Sequence, residues 1–586
     1  MYEVLQSINS PQDLKKLQPM ELETLAADIR TALFNRLTKF GGHFGPNFGI
    51  VETTIALHYV FNSPQDKFVF DVSHQSYPHK MLTGRKNGYI KDECFHEDSG
   101  YTNPEESEHD WFNVGHTSTS ISLASGLAKA RDLQGGKENV IALIGDGSLS
   151  GGEALEALDF VASDLKSNLI IIVNDNQQSI AEVHGGIYDN LTELRRTKGT
   201  STNNFFKSLG LDYVYEENGN DISSMIKVLQ KLKDIDHPVV LHINTQKGKG
   251  YELAEKNREA WHWCMPFDKS TGKWNVTFPA ESYTGLTSAY IMDKAQKDKN
   301  FVVISPAMPM TAGLSPDLRK QLGAQYVDVG IAEEHAVAFA SGIARAGGKP
   351  LVVTNSTFIQ RTYDQVSQDV CINNNPVTIL LNYTSFDGLT DVTHLGIFTI
   401  AAFSNIPNLI MLAPSSKEEY LSMLDWAVDQ NQHPVMILMP GNAVTSRSTD
   451  SNFAAINTFK IEQQGSKTAV LALGDFYQRG EDLCRHIEQE LGYKPTLINP
   501  RFASGVDKKM LTDLLSSHQL VITLEDGILD GGFGQKVAAF YAATPMKVKN
   551  YGLHKEFYDR YDPQELLRRL GLTTEQIISD IKKLNL

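Results

Sequence analysis

The segments Asn139-Val-Ile-Ala-Leu-Ile-Gly-Asp-Gly-Ser148 and Leu169-Ile-Ile-Ile-Val-Asn-Asp-Asn176 decide the fold of this chain. Each opens with an apolar run, which is typical of a strand buried in a parallel sheet. A helical pattern over Glu153–Val161 separates the two runs, and 28 residues lie between Gly147 and Asn176. This spacing suits a loop, a helix, a loop and a strand, so we predict a βαβ unit.

Polar residues follow both predicted strands, at the edge where parallel sheets bind ligands. We predict that side-chain oxygens of Asp146 and Asn176, with the backbone carbonyl of Gln178, hold Mg²⁺, which takes few protein oxygens and completes its shell with phosphate and water. Gly145 and Gly147 allow a diphosphate to approach the backbone, and the helix that follows favours an anion at its start. The alternative is a surface turn that happens to read Gly-Asp-Gly, which the flanking strands and helix disfavour.

Further motifs extend this pattern over nearly the whole chain. They are Asp71-Val-Ser-His74-Gln-Ser-Tyr-Pro-His-Lys80, Val114-Gly115-His116-Thr117-Ser-Thr-Ser120 and Ser356-Thr-Phe358-Ile-Gln-Arg361. With the spaced Gly-Asp-Gly and Asn pair, they resemble the thiamin-diphosphate enzymes of the transketolase superfamily, and within it the 1-deoxy-D-xylulose-5-phosphate synthase family. That family decarboxylates pyruvate and joins the acetyl unit to glyceraldehyde 3-phosphate. The resemblance implies thiamin diphosphate and Mg²⁺ as cofactors, small-molecule substrates and a homodimer.

The resemblance also implies a three-domain α/β fold. Two thiamin-diphosphate-binding domains with doubly wound parallel sheets precede a transketolase C-terminal α/β domain. We place the diphosphate- and Mg²⁺-binding domain with its linker at residues 1–285, the pyrimidine-binding domain at 286–445 and the C-terminal domain at 446–586. We expect no catalytic residue from the C-terminal domain, which packs the dimer in the superfamily.

Periodicity and apolar runs predict the elements of these domains. Predicted helices are Glu21–Lys39, Ile50–Tyr59, Glu153–Val161, Ile121–Arg131 and Glu333–Ala346, and predicted strands are Lys67–Val72, Val140–Ile144, Leu169–Val173, Val239–Ile243, Phe301–Ile304, Tyr326–Val329, Leu351–Thr354, Val377–Leu381, Leu409–Leu412, Val435–Leu438, Ala469–Leu473, Thr496–Ile498, Leu520–Leu524 and Met546–Asn550. The stretch Phe267–Ala295, rich in Gly, Ser, Thr and Lys, indicates a linker and the entry to the second domain.

Glu333 matches the family's carboxylic acid that bonds N1′ of the aminopyrimidine and favours the imino form of the cofactor. The plain alternative is an acid that suits the dipole at a helix start. Phe358 matches the aromatic residue that stacks on the aminopyrimidine, or is a core phenylalanine. The other cofactor contacts implied by the resemblance are His74, Gly115, His116, Thr117, Asp146, Gly147, Ser148, Asn176 and Arg361.

Four histidines are candidates for charge stabilisation and proton transfer, because imidazole titrates near working pH. They are His43, His74, His262 and His394. His43 lies in a Gly- and Pro-rich loop and by itself is an ordinary exposed histidine, whereas the family uses a histidine there near the reacting carbon. His74 and His116 could also satisfy backbone groups in turns. The hydroxyl-rich turn after His116 either caps the next helix or binds diphosphate oxygens.

The chain departs from the family where the acceptor phosphate is held by two arginines. Tyr383 replaces one arginine, and Met439-Pro-Gly441-Asn442 has none where the second belongs. Asn355 stands for a tyrosine, and Thr390 for an aspartate that contacts substrate hydroxyls. A hydrogen bond to a charged group contributes ~1.5–3 kcal/mol, so two lost arginines cost roughly 3–6 kcal/mol. We therefore predict retained donor chemistry with an altered acceptor, for which a non-phosphorylated aldehyde is one alternative.

Three cations, Arg361, Lys249 and Arg447, are candidates to compensate for the missing arginines. The region after Gly186 is also shorter than in the family, so the sequence does not show which segment covers the cofactor.

Three functions stay in competition: a synthase that uses pyruvate, a transketolase-like enzyme with a ketose donor, and a non-catalytic cofactor-binding relative. The retained Asp146, Asn176, Glu333 and His116 disfavour the last.

Bulk properties restrict the partners and the compartment. The net charge is −16 and no long basic run occurs, which excludes nucleic acid and anionic membranes as expected partners. The cysteines Cys94, Cys264, Cys371 and Cys484 are far apart and form no Cys-x-x-Cys motif, as suits a reducing cytosol. The start MYEVLQSINS has neither a basic nor an apolar signal region. We expect a cytoplasmic protein.

Overall fold

The computed structural model describes residues 2–441, 443–447, 456 and 458–584. The chain divides into two compact units. The first comprises Met1–Phe278 with Gly330–Ala332, and the second comprises Pro279–Val329 with Glu333–Leu586. We describe each unit by itself.

The first unit is built on a five-stranded parallel sheet with the strand order β1-β2-β3-β5-β4. Its strands are β1 (Lys67–Phe70), β2 (Val140–Gly145), β3 (Leu169–Asp175), β4 (Asp212–Glu216) and β5 (Pro238–Asn244). Its longer helices are Pro19–Phe40, Val51–Val60, Ser120–Leu133, Gly152–Ser163, Gly186–Arg196 and Ile222–Leu232. The predicted βαβ unit is therefore confirmed as β2, the helix Gly152–Ser163 and β3.

The apolar runs are continuous because both faces of this sheet are covered. In β2, Val140, Ala142 and Ile144 belong to one hydrophobic cluster. Ile141 and Leu143 belong to another, on the opposite face. A strand with side chains in two cores has no polar face, so only its carboxyl end is left for polar chemistry.

The second unit contains two sheets. The first is parallel and six-stranded, in the order β10-β11-β9-β8-β6-β7, and the other is five-stranded, in the order β12-β14-β13-β15-β16. The strands are β6 (Phe301–Ser305), β7 (Tyr326–Asp328), β8 (Lys349–Asn355), β9 (Thr378–Asn382), β10 (Ile410–Leu412), β11 (Val435–Leu438), β12 (Lys460–Gln463), β13 (Lys467–Ala472), β14 (Thr496–Asn499), β15 (His518–Ile528) and β16 (Lys547–Leu553). The longer helices are Tyr283–Lys297, Pro316–Leu322, Glu333–Arg345, Lys417–Asp429, Tyr477–Leu491, Lys508–Leu514, Phe533–Tyr541, Pro563–Arg569 and Thr574–Lys583. Parallel sheets within α/β layers confirm the predicted fold class.

Several parts of the secondary structure differ from the prediction. The second half of the supposed linker is the helix Tyr283–Lys297, whose start is capped by Ser282. The helix Gly186–Arg196 and the strands β4 and β12 are also absent from the prediction. Strand β4 is half-exposed and β12 is an antiparallel edge strand, so neither carries the apolar run on which the prediction relied. The predicted Asn442 lies outside the described residues.

Strand β1 ends two residues earlier than predicted, at Phe70. Val72 and Ser73 have φ values of 57° and 62°, which is the left-handed region that interrupts a strand. His74 follows this turn and is not part of the strand. Among the described residues, no helix is long and apolar enough to span a bilayer.

Candidate cofactor site

The predicted metal ligands follow neighbouring strands. Strands β2 and β3 are parallel partners with Gly145 opposite Asn174, so Asp146 and Asn176 leave the sheet at one edge. Both side chains are buried, and Asp146 Oδ2 and Asn176 Oδ1 have no hydrogen-bond partner among the described residues. A buried polar atom without a partner costs free energy. Two such oxygens on a carboxylate and an amide are the donor set that Mg²⁺ prefers, so these residues fit the cation.

Asp146 is buried near an acidic and a basic residue, Asp175 and Lys247. Burial raises the pKa of Asp146 well above its usual value, the neighbouring Asp175 raises it further, and Lys247 opposes the shift. A bound divalent cation would favour the ionised carboxylate. Gln178 lies in the turn after β3, where its side-chain amide donates to Ile180 O at 3.2 Å. Its backbone carbonyl as a third ligand stays a prediction. Within the described part of the chain, no cluster of three or more His, Cys, Asp or Glu residues is placed to hold a metal.

Small residues shape the backbone beside Asp146. A Cβ on Gly147 would lie 2.8 Å from the Ser179 side chain, so packing alone requires glycine there. Ser118 Oγ donates to the backbone carbonyl of Ser148 at 2.8 Å, which joins the two predicted diphosphate-binding segments. The residues Gly115, His116 and Thr117 lead directly into this contact.

The turn after His116 is organised by Asp71, which follows β1. The Asp71 carboxylate accepts from the backbone N–H groups of Ser118 (2.9 Å) and Ser120 (3.1 Å). Thr119, at the start of the helix Ser120–Leu133, makes no side-chain capping bond. Of the two alternatives for this turn, a cap by the Thr119 side chain is not formed, and the buried Asp71 carboxylate accepts from the backbone donors instead.

Three predicted histidines of the first unit lie together. The ring centroids of His43 and His74 are 5.1 Å apart, those of His43 and His262 are 5.7 Å apart, and those of His74 and His262 are 5.3 Å apart. Asn47 fixes two of their backbones, since its Nδ2 donates to His43 O at 2.8 Å and to His74 O at 2.7 Å. Its Oδ1 accepts from Tyr77 N at 2.9 Å.

The loop of His43 is held in place by its glycines. The helix Pro19–Phe40 ends at Gly41, whose φ is 74°. A Cβ on Gly41 would lie 2.5 Å from the backbone carbonyl of Cys264. Gly42 N donates to that same carbonyl at 2.8 Å. The segment of His43 therefore pairs with the segment of His262, although about 220 residues of sequence separate them.

Lys247 is a buried cation beside the histidine cluster. Its Nζ lies 2.6 Å from Ser179 O and 3.0 Å from His262 Nδ1. Burial lowers the pKa of Lys247 to about 7. Burial, Lys247 and the other two histidines lower the pKa of His262 well below its usual value. This lowered pKa favours the neutral form of His262.

The second unit contains the predicted activating acid. Glu333 begins the helix Glu333–Arg345 and is 4% exposed. Burial raises its pKa to about 7, with Arg361 opposing the shift. The Arg361 guanidinium lies 3.7 Å from Glu333 Oε2, which is too far for a hydrogen bond, and that oxygen has no such partner among the described residues. A carboxyl that keeps its proton up to about pH 7 and has an oxygen without a protein partner is suited to bond a ring nitrogen.

Phe358 and His394 also lie together in this unit. Their ring centroids are 5.7 Å apart in an edge-to-face arrangement. Phe358 is partly exposed, which departs from the core alternative. His394 Nδ1 lies 2.7 Å from Thr393 Oγ1 and 3.8 Å from Asp391 Oδ1. The structure therefore brings the predicted residues into two clusters, one in each unit.

Two of the three cations considered as replacements for the missing arginines, Lys249 and Arg447, are engaged elsewhere. Lys249 Nζ donates to Glu52 Oε1 at 2.9 Å and to Asn220 O at 2.8 Å. Arg447 forms an ion pair with Glu481 at 2.5 Å. Tyr383, where one arginine is expected, has a φ of 53° and is 42% exposed.

Sequence reasoning missed the roles of Asn47, Asp71 and Lys247. Each makes at least one contact with a residue distant in sequence, which no local pattern reveals. The one available signal was position: Asp71 directly follows β1, and Lys247 lies in the glycine-rich turn soon after β5.

Family models match the chain in three consecutive parts. The model described as 1-deoxy-D-xylulose-5-phosphate synthase matches residues 5–204 and 195–245. The pyrimidine binding domain of transketolase matches residues 283–446, and the transketolase C-terminal domain matches residues 457–577. Together with the parallel sheets, these matches define a transketolase-like α/β protein.

Curated relatives narrow this class. The 1-deoxy-D-xylulose-5-phosphate synthase of Alkaliphilus oremlandii is 37% identical over 624 residues, covering 100% of this chain and 99% of that one. The enzyme of the same name from Listeria monocytogenes is 38% identical over 593 residues, covering 99% and 97%. The chain belongs to the 1-deoxy-D-xylulose-5-phosphate synthase family, whose members are thiamin-diphosphate-dependent transferases. The resemblance inferred from the motifs is confirmed.

Proposed function

We propose that this chain uses thiamin diphosphate and Mg²⁺ to take an acetyl unit from pyruvate and transfer it to a short aldehyde. The observation that carries the proposal is the pair of buried, unpartnered oxygens on Asp146 and Asn176. Full-length relatives with the synthase name support the same reaction class. We also propose a homodimer, which sedimentation of the loaded enzyme tests.

Different residues would bind the different parts of the cofactor. Thiamin diphosphate, when bound, supplies the electron sink for decarboxylation of a 2-oxo acid. Asp146, Asn176 and the carbonyl of Gln178 would hold the cation that neutralises the diphosphate. Gly115, His116, Thr117, Gly147 and Ser148 would cradle the diphosphate, and Phe358 would stack on the aminopyrimidine. Arg361 would keep Glu333 oriented.

Glu333 and the histidines would handle protons. With a pKa of about 7, Glu333 can share a proton with the ring nitrogen N1′ near neutral pH. A protonated Lys247 donates to His262 Nδ1, which places the proton of this neutral ring on Nε2. His262 is then a hydrogen-bond donor toward the cluster that it forms with His43 and His74. His394, beside Phe358, would serve the acceptor side.

The test is product formation from pyruvate with thiamin diphosphate and Mg²⁺, with and without glyceraldehyde 3-phosphate. Pyruvate-dependent CO₂ release that needs both cofactors is expected. Cleavage of a ketose phosphate while pyruvate is ignored would instead establish a transketolase-like donor. A second candidate within this reaction is a non-phosphorylated acceptor, which is favoured by Tyr383 and by the arginine-free segment before Asn442.

A further inference from the structure

The two segments that lack arginine are bound by carboxylates of the C-terminal sheet. We call Asn382–Asp387 and Met439–Gly441 the acceptor loops. Asp526, in β15, accepts from Ser385 Oγ at 2.5 Å and from Phe386 N at 2.9 Å. Asp475, which follows β13, accepts from Gly441 N at 2.9 Å. Three donors of these loops, Ser385 Oγ, Phe386 N and Gly441 N, are therefore already bound to protein carboxylates.

The charge of this region is unfavourable for a phosphate. Burial and, to a smaller extent, the charge of Asp475 raise the pKa of Asp526 to about 7, so the two carboxylates interact. Arg479 lies nearby, but its guanidinium stacks on Phe476 and Phe386 at 5.3 and 6.0 Å. It is balanced by Asp526, Asp387 and Asp482. A cation surrounded by three acids leaves no net positive field for an anionic ligand.

The space is also too small for a phosphate group. Thr384, Pro440, Gly474, Asp475 and Asp526 contribute to the lining of a cavity of about 20 Å³. Such a volume holds about one water molecule.

Two buried amides beside the loops point to the chemistry of the acceptor. Asn355 ends β8 and Asn382 ends β9, and they are direct partners in the sheet. Each is 3% exposed, and the Oδ1 atom of each has no hydrogen-bond partner among the described residues. An amide oxygen accepts hydrogen bonds. A hydroxyl group can donate to it, whereas a phosphate dianion cannot.

We propose that Asn355, Asn382, Asp475 and Asp526 select a neutral hydroxyaldehyde as acceptor and reject a phosphorylated one. This rests on the proposed function and names its substrate class. The amide oxygens accept from the hydroxyl groups of the acceptor, and the two carboxylates repel phosphate. These residues determine specificity and take no part in the proton transfers.

The experiment compares kcat/KM for D-glyceraldehyde and glyceraldehyde 3-phosphate in the holoenzyme with pyruvate. The wild type is expected to prefer D-glyceraldehyde. The double variant Asp475→Asn, Asp526→Asn keeps acceptors for the loop amides and removes the charge, so it should shift the ratio toward the phosphorylated acceptor by about 10-fold or more. Asp513→Asn, on the exposed helix Lys508–Leu514, is the matched control and should leave the ratio unchanged.

Salt gives a readout that needs no variant. Because salt screens repulsion, raising the ionic strength should improve the phosphorylated acceptor relative to the neutral one. A salt-induced loss for the phosphorylated acceptor would reveal attraction and overturn the proposal, as would a wild-type preference for glyceraldehyde 3-phosphate. Pyruvate-dependent CO₂ release measured without acceptor reports on the donor half-reaction. Its absence would overturn the proposed function itself, whereas its presence with the wrong acceptor ratio would overturn the specificity proposal alone.

Asn355→Leu isolates the hydroxyl-binding part. It should reduce kcat/KM for D-glyceraldehyde more than for propanal, which lacks the hydroxyl groups. An equal loss for both aldehydes would contradict a hydrogen bond from the acceptor to this amide.

Discussion

The edge of the first parallel sheet and the acceptor loops of the second unit differ in whether their polar atoms have hydrogen-bond partners in the protein. At the first, the oxygens of Asp146 and Asn176 are left without protein partners. At the second, loop donors are satisfied by Asp475 and Asp526. The oxygens of the first site can therefore bind a cation, which can in turn bind an anion. The loop donors of the second site already have carboxylate partners and do not favour an anion. The difference teaches that cofactor binding and acceptor choice are separate properties of this chain.

The largest expected effect tests the cofactor side of the comparison. Glu333→Gln should lower kcat with pyruvate by about 10²–10⁴-fold, the usual worth of a positioned acid or base. The neighbouring Glu334→Gln variant is the control and should retain activity. If Glu333→Gln kept activity within a factor of a few, Glu333 would have no part in activation.

The next effect concerns the cation. Asp146→Asn should weaken thiamin diphosphate binding in the presence of Mg²⁺ by about 10–100-fold, because one charged interaction is lost. Titration calorimetry with and without Mg²⁺ separates this loss from a general defect, since the variant and the wild type should bind equally weakly without the metal. Asp159→Asn, on the exposed side of the helix Gly152–Ser163, should bind normally. Equal weakening under both conditions would argue against a metal ligand.

A third prediction concerns pH and stability. The pKa of Glu333 is raised to about 7 in the folded protein, so the unfolded state binds fewer protons between its ordinary value and pH 7. Stability therefore falls as pH rises through this window, by up to about 3 kcal/mol above pH 7. The Glu333→Gln variant has no titrating carboxyl at this position, so its stability does not fall with pH for this reason. The apparent melting temperature of the variant apoprotein should exceed that of the wild type at pH 8 and match it near pH 4.5; the reverse order would show that Glu333 is not desolvated.

The smallest effect tests whether a remote cation compensates for the missing arginines. Lys249→Met should leave the ratio of kcat/KM for phosphorylated and neutral acceptors within about twofold, because its ammonium is committed to Glu52 and Asn220. A selective tenfold loss for the phosphorylated acceptor would assign Lys249 to phosphate binding.

Much of the fold could be predicted because each buried strand consists of a continuous run of apolar residues. The runs in β2 and β3 mark strands with two covered faces, and the boundaries differ by at most two residues. The half-exposed β4 and the edge strand β12 carry no such run and were missed. The helix Tyr283–Lys297 is missing from the prediction because its polar residues, which suit one exposed face, resemble those of a linker.

By itself, the sequence determined the family, the α/β class and the identity of the residues that follow the strands. Those depend on local pattern and on motifs of fixed spacing. The tertiary structure alone decided that Asp71 caps a helix, that Lys247 approaches His262 and that Asp475 and Asp526 hold the acceptor loops. These contacts join residues far apart in the chain, and burial changes their protonation. Neither distance nor desolvation is encoded in any local stretch of sequence.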